Sequence, residues 1–174
     1  NISSTLYNVG SVVYLAMGSA VGIIIGQMLG AGRSREEILD QNRKLLFTAT
    51  VCGGAFGILM AAAAVPFPKI YNTTESVQQL AAMLILLNSI ILPFNSYTNA
   101  VYFTLRSGGQ TMVTFLFDSC FVWGFCVPLA YVLTRFLGIG IIPLFAICQA
   151  TDLIKCALGS IIIKQGKWIH NLTR

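Results

Sequence analysis

The sequence predicts an all-α integral membrane protein with five transmembrane helices. Three observations carry that expectation. Hydrophobic residues make up 56% of the 174 residues and charged residues 10%, and the mean hydropathy is +0.76. A soluble domain carries about 25% charge, and this chain is too apolar to be covered by water. The charges are also segregated: residues 1–32, 45–68 and 76–105 contain none, 107–134 only Asp118, and 136–163 only Asp152 and Lys155. Each gap reaches the roughly 20 apolar residues that cross the hydrocarbon. Backbone groups in lipid must bond within their own segment, and the strict alternation of barrel strands is absent, so these runs are helices. The spans fall at roughly 8–30, 45–67, 76–104, 111–134 and 139–164, in one lobe covering 1–174 with a polar tail at 165–174.

The first span carries Gly18, Gly22, Gly26 and Gly30 at four-residue intervals, which places them on one face. Such a face lets another backbone approach closely. It serves either static packing or a sliding surface in a protein that rocks between states. Gly30-Ala31-Gly32 ends this helix, and Ser34-Arg35-Glu36-Glu37 forms a capping box that opens a short polar helical stretch at the surface. The second span repeats the small-residue face with Gly53, Gly57 and Ala61, and Pro66-Phe67-Pro68 closes it.

The third span is capped by Asn72-Thr73-Thr74-Glu75. Asn88, Asn95 and Asn99 share one of its faces, with Pro93 between them removing a backbone hydrogen bond. A freed carbonyl beside amide side chains suits a wet cavity; the alternative is hydrogen bonding between helices without a ligand. Ser107-Gly108-Gly109 breaks the chain before the fourth span.

Asp118 lies about seven residues inside the fourth span. A carboxylate in lipid costs about 3 kcal/mol on insertion scales, so it faces protein or water. There it holds a proton, binds a cation, or makes a structural hydrogen bond. Gly138-Ile139-Gly140 leads into the fifth span, where Asp152 and Lys155 stand three residues apart on one face. They form either a self-neutralising ion pair or a pair that opens when a proton or substrate arrives. Pro93, Pro128 and Pro143 are each expected to kink or break a helix. Trp168, just beyond the last span, is expected in the membrane interface.

The basic residues are lopsided. Loops after the first, third and fifth spans hold eight (Arg33, Arg35, Arg43, Lys44, Arg106, Lys164, Lys167, Arg174), against Lys69 and Arg135 on the other side. By the positive-inside rule the N-terminus is outside and the C-terminus cytoplasmic. The net charge of +5 therefore reports topology; no basic stripe with interleaved aromatics points to nucleic acid. Five cysteines scattered through apolar runs read as packing residues, and a single histidine, His170, cannot build a histidine metal site. Metalloprotease, serine-hydrolase and phosphate-loop signatures are missing. The start at Asn1 has no signal-peptide pattern and reads as that of a fragment or processed piece. Five spans also fall one short of the even number usual in repeat transporters.

Two turns carry a resemblance. Gly26-Gln27-Met28-Leu29-Gly30-Ala31-Gly32 resembles the GQ-x-x-GAG turn of the multidrug and toxic compound extrusion (MATE) family. Leu105-Arg106-Ser107-Gly108-Gly109-Gln110-Thr111 resembles that family's LR-x-GG-x-T turn between its tenth and eleventh helices. Pro66-Phe67-Pro68, Trp123 with Pro128-Leu129-Ala130-Tyr131, and Gly166-Lys167-Trp168 agree in order and spacing. The resemblance implies helices eight to twelve of a twelve-helix, two-lobed transporter, with the first lobe and one helix missing. It implies multi-pass residence in the plasma membrane and export of organic cations or other amphipathic compounds in exchange for sodium or protons, with no cofactor. Some cation-coupled members use acids on the seventh and tenth helices. Here the matching tenth helix has no acid between Glu75 and Asp118, so coupling is expected at Asp118 or at Asp152 with Lys155, or in the first lobe. The alternatives are a lipid-linked sugar flippase of the same superfamily, which needs a strongly basic cavity, a membrane enzyme, which needs clustered catalytic groups near the interface, and a structural membrane fragment that transports nothing.

Overall fold

The computed structural model describes residues 2–70, 74–136, 140–166 and 168–169. The helices are α1 (Ile2–Gly30), α2 (Arg35–Ala63), a short α3 (Pro66–Lys69), α4 (Glu75–Ser107), α5 (111–136) and α6 (Ile141–Gln165). No strand occurs among the described residues. Helix α4 is central: α1, α2 and α6 all pack along it, while α5 touches its last turn and α6. At 1.5 Å per residue, α1, α2, α4 and α6 are each longer than the roughly 30 Å hydrocarbon. All four are apolar enough to cross it, and α5 contributes a shorter apolar stretch, Val122–Arg135.

Small residues decide how closely the helices approach. A Cβ built on Gly18 would lie 2.7 Å from Asn99 Oδ1 and from the Phe103 ring, and one on Gly22 3.3 Å from Phe103. Ser107 Oγ donates to the Gly22 carbonyl at 2.7 Å. The stripe then diverges from α4: Gly26 meets only Ser107 at 4.0 Å, and Gly30 meets nothing within 4 Å. On α2 a Cβ at Gly53 would lie 2.5 Å from Ser96 Cβ, and one at Gly57 2.6 Å from the Ser89 carbonyl. Ser96 Oγ donates to the Ala49 carbonyl at 2.7 Å.

Both family-like turns are Schellman caps, which accounts for their glycines. Arg33 N–H donates to the Met28 carbonyl and Gly32 N–H to that of Leu29, with Gly32 at φ 65°. After α4, Gln110 N–H donates to Leu105 and Gly109 N–H to Arg106, with Gly109 at φ 80°. Only glycine takes this left-handed turn without strain. Gly166 ends α6 in the same conformation.

The apolar core clusters where these three ends meet: Val21, Ile25 and Leu29, Ile38 and Leu46, Val101 and Leu105, Ile163 and Trp168. Away from it the helix faces are open. Within an 18-residue apolar stretch of each helix, only 28% of the residues in α1, α2 and α4 and 11% in α6 are buried, and Phe47, Ile58 and Trp123 are more than 70% exposed. Exposed apolar surface on this scale belongs in lipid or against other protein.

Several local expectations are corrected. The polar stretch after Ser34 is no separate helix: Ser34 Oγ accepts from Glu37 N–H at 3.3 Å and starts α2 itself, which runs unbroken into the apolar span. Pro143 breaks nothing, because it lies in the first turn of α6, where backbone N–H groups have no partner in the helix. Trp168 is not an interface anchor. It is 1% exposed, because the left-handed turn at Gly166 folds it back against Gly108, and its Nε1–H donates to the Ile163 carbonyl at 3.2 Å. Asn72, Thr73, Gly138, Ile139 and the tail at Lys167 and 170–174 lie outside the described residues; Thr74 and Gly140 hold extended backbone at the starts of α4 and α6.

Helix α5 is not a uniform α-helix. Its ends, Thr111–Phe115 and Val127–Phe136, are α-helical, but Leu116–Cys120 and Val122–Cys126 take the wider π register. Val127 N–H reaches back five residues to the Val122 carbonyl. Pro128 follows at once; its ring crowds the carbonyl four residues earlier and it has no N–H to donate, so the widened turn accommodates it.

Candidate functional site

The inward face of α4 reads Asn95, Thr98, Asn99 and Tyr102, a spacing of three and four residues that aligns them along one stripe. This stripe forms one wall of a cavity of about 270 Å³. Tyr7 and Tyr14 of α1 form a second wall, and Asp152 and Lys155 of α6 a third. The shape has a cause on each side: Gly18 lets Asn99 and Phe103 come up against α1, and α5 supplies Thr114.

Lys155 Nζ lies 3.2 Å from Asp152 Oδ1, with the two side chains 15% and 25% exposed. The ammonium also lies 5.1 Å from the centre of the Phe121 ring, which sits between the two π turns of α5. A carboxylate, an aromatic face and a cavity therefore surround one cation. This is a charged pair on the wall of a polar hollow within apolar helices, and its cost in lipid is met by mutual pairing and ring contact.

Around the cavity α4 and α6 are joined by a polar seam. Gln149 Nε2 donates to Asn88 Oδ1 at 3.1 Å, Thr98 Oγ1 meets Cys156 Sγ at 2.7 Å, and Tyr97 meets Ser160 Oγ at 2.7 Å. Bonds of this kind hold helices together where lipid offers no hydrophobic drive between them. Asn88 belongs to this seam and not to the central cavity. Its amide also donates to the Leu84 carbonyl at 2.9 Å, and it lines a second hollow of about 420 Å³ with Ser4, Asn8, Phe145 and Gln149. Tyr7 lines both hollows and shares a hydrogen bond with Tyr14 at 3.3 Å, so it stands between them.

The sequence-derived candidates separate accordingly. Asn95, Asn99, Asp152 and Lys155 meet in one cavity. Asn99 Oδ1 is buried there without a hydrogen-bond partner among the described residues. Pro93 faces the other way, with its Cα 3.2 Å from a Cβ built on Gly53. The carbonyl it leaves unbonded within the helix, that of Ser89, faces Gly57 of α2. Asp118 lies in the first π turn, and its side chain is outside the described residues. No group of three or more His, Cys, Asp or Glu suited to a metal ion occurs among the described residues.

Sequence reasoning misses Tyr7, Tyr14, Thr98, Tyr102 and Phe121. A signal exists for four of them. Tyr7 and Tyr14 are seven apart on the face that continues to Gly18, and Thr98 and Tyr102 continue the register of Asn95 and Asn99. Nothing local marks Phe121.

Comparison with known families settles the class. The MatE family model matches residues 1–132. The chain belongs to the MATE transporter family. The match spans α1 to α4 and most of α5, including both glycine turns and Pro128-Leu129-Ala130-Tyr131. It stops before α6, so Asp152 and Lys155 lie beyond the matched region. This MATE-family chain is thus a multi-pass membrane protein of a transporter family. No curated protein and no solved structure matches it significantly.

Proposed function

We propose that this MATE-family chain is part of a secondary active exporter that moves organic cations or other amphipathic compounds out of the cell against a sodium or proton gradient. The carrying observation is the cavity that brings Asn95 and Asn99 together with the Asp152–Lys155 pair beneath Tyr7, Tyr14, Tyr102 and Phe103. One carboxylate, two amides and several aromatic faces suit a flat or amphipathic cation, which gains both ion pairing and cation–π contact. A pyrophosphate headgroup needs several free cations. Among the described residues lining this cavity Lys155 is the one cation, and it is held by Asp152, which favours the exporter over the flippase.

In this reading Lys155 is the resting counter-ion of Asp152. A sodium ion or proton at the carboxylate releases the ammonium toward Phe121, and an organic cation competes for the same oxygen atoms. The π turns of α5 flank Phe121 and supply the element that repacks. Asp118, in the first of those turns, is a second candidate for the coupling ion. A polar cavity cannot face acyl chains, so an opposing lobe of the same transporter covers it. With the basic loops in the cytoplasm, the Asn88 hollow opens toward the outside and the plasma membrane is the site of action.

The test is transport. The chain, reconstituted with its opposing lobe in vesicles, should move ethidium when a sodium or proton gradient is imposed. Asp152→Asn should abolish the dependence on the gradient. Absence of gradient-dependent movement of any organic cation removes the exporter reading. Full coupling in Asp152→Asn with its loss in Asp118→Asn moves the ion to α5.

A further inference from the structure

On the opposite side of α4 from the cavity wall formed by α1, helices α2, α4 and α6 enclose a groove of about 950 Å³ that the transport reading does not use. Its walls are graded. Arg43, Lys44 and Lys164 line it within the first three turns of α2 and the last turn of α6, at the end where the basic loops gather. Leu39, Leu46 and Ile163 provide apolar wall, and Phe47 stands open at 71% exposure. Tyr97 and Ser160 lie deeper and satisfy each other at 2.7 Å.

The charge at the mouth is not neutralised. Asp40 takes Lys44 at 2.6 Å, and Arg33 is engaged with Glu37 at 4.0 Å. Arg35 donates to the Gln165 carbonyl at 3.1 Å, capping α6. Arg43 and Lys164 have no ion-pair partner among the described residues. Two open cations above an apolar trough, at the level where helices leave the hydrocarbon, match an amphiphile with an anionic head.

We propose that this groove binds an anionic phospholipid, its phosphate at Arg43 and Lys164 and an acyl chain along Leu46, Phe47 and Ile163. A free phosphate ion would find the two charges but leave the trough exposed. A zwitterionic lipid would fill the trough and leave the cations without net counter-charge. The site is independent of the transport cavity, which lies on α1, α4, α5 and α6.

Native mass spectrometry of the purified transporter tests this, with dioleoyl phosphatidylglycerol and dioleoyl phosphatidylcholine added at equal concentration. Phosphatidylglycerol should be retained preferentially. Retention should fall about fivefold in Arg43→Gln or Lys164→Gln and about thirtyfold in the double variant, as expected for about one surface cation's attraction each. Arg135→Gln, at the other end of the bundle, should change nothing, and Lys164→Arg should retain the lipid. Thr50→Trp fills the trough while leaving both charges, so it should also cut retention and carries the test if the double variant does not fold. Equal retention of the two lipids, full retention by the double variant or by Thr50→Trp, or displacement of the lipid by inorganic phosphate alone would each overturn the proposal.

Discussion

Asp152 and Lys155 hold each other at 3.2 Å in a setting that leaves each side chain a quarter exposed or less. Removing one partner leaves an uncompensated charge on the cavity wall, while removing both leaves a neutral one. Asp152→Asn and Lys155→Met should therefore each destabilise the lobe by up to about 3–5 kcal/mol, and the double variant by less than either. Thermal melting in detergent reads this, and simple additivity would show that the two charges act apart. The pair is legible in the sequence because an acid and a base three residues apart in an otherwise uncharged span offset the cost that each would carry alone in lipid. Lys155's third neighbour is not legible: Phe121 comes from α5, and no spacing within α6 announces it. The asparagines are half legible. The shared face of Asn88, Asn95 and Asn99 is real, but the cavity takes only the last two, because Gln149 of α6 claims Asn88.

At the scale of the helix, equal spacing does not mean equal contact. The glycine stripe on α1 closes on α4 at Gly18 and Gly22 and is open by Gly30, because two helices crossing at an angle touch over a few turns only. On α2 the close approach at Gly57 is to backbone, the Ser89 carbonyl that Pro93 leaves unbonded in its helix. Gly57→Ala should accordingly cost about 1–3 kcal/mol, since a carbonyl in a packed helix cannot step aside. Gly30→Ala should be neutral or stabilising by up to about 1 kcal/mol, since it meets nothing and gains helix propensity. Melting of the two variants side by side checks this; equal loss would mean that the stripe packs along its whole length. The caps are readable because they are local: Gly32 and Gly109 are each demanded by a left-handed turn in their own five or six residues. The π turns of α5 are not. The second accommodates Pro128 through Val127 N–H reaching back to Val122, and the residues of both fit a regular helix by composition alone.

For the molecule as a whole, segregated charge marks the apolar run inside each long helix but not where the helix begins: α1 starts at Ile2 and α2 at Arg35, ahead of the expected starts at 8 and 45. At the polar start of α2 and at Trp168, tertiary contact overrides a local rule. The polar turns of α2 are retained as helix by Ser34 and by packing of Ile38 and Leu46, and the indole is drawn into the core by a turn at Gly166. The proposed orientation is open to a direct check. In intact cells an impermeant maleimide should label Thr74→Cys, whereas Ser34→Cys should react only after permeabilisation; the reverse pattern would invert the topology. The central claim is that one carboxylate in the α1–α4–α6 cavity serves ion and organic cation in turn. Equilibrium binding of ethidium to the purified transporter, measured by fluorescence at rising sodium and proton concentrations, tests it most directly. Sodium or protons should weaken ethidium binding to the wild type and have no such effect on Asp152→Asn. Undiminished competition in that variant would contradict the account.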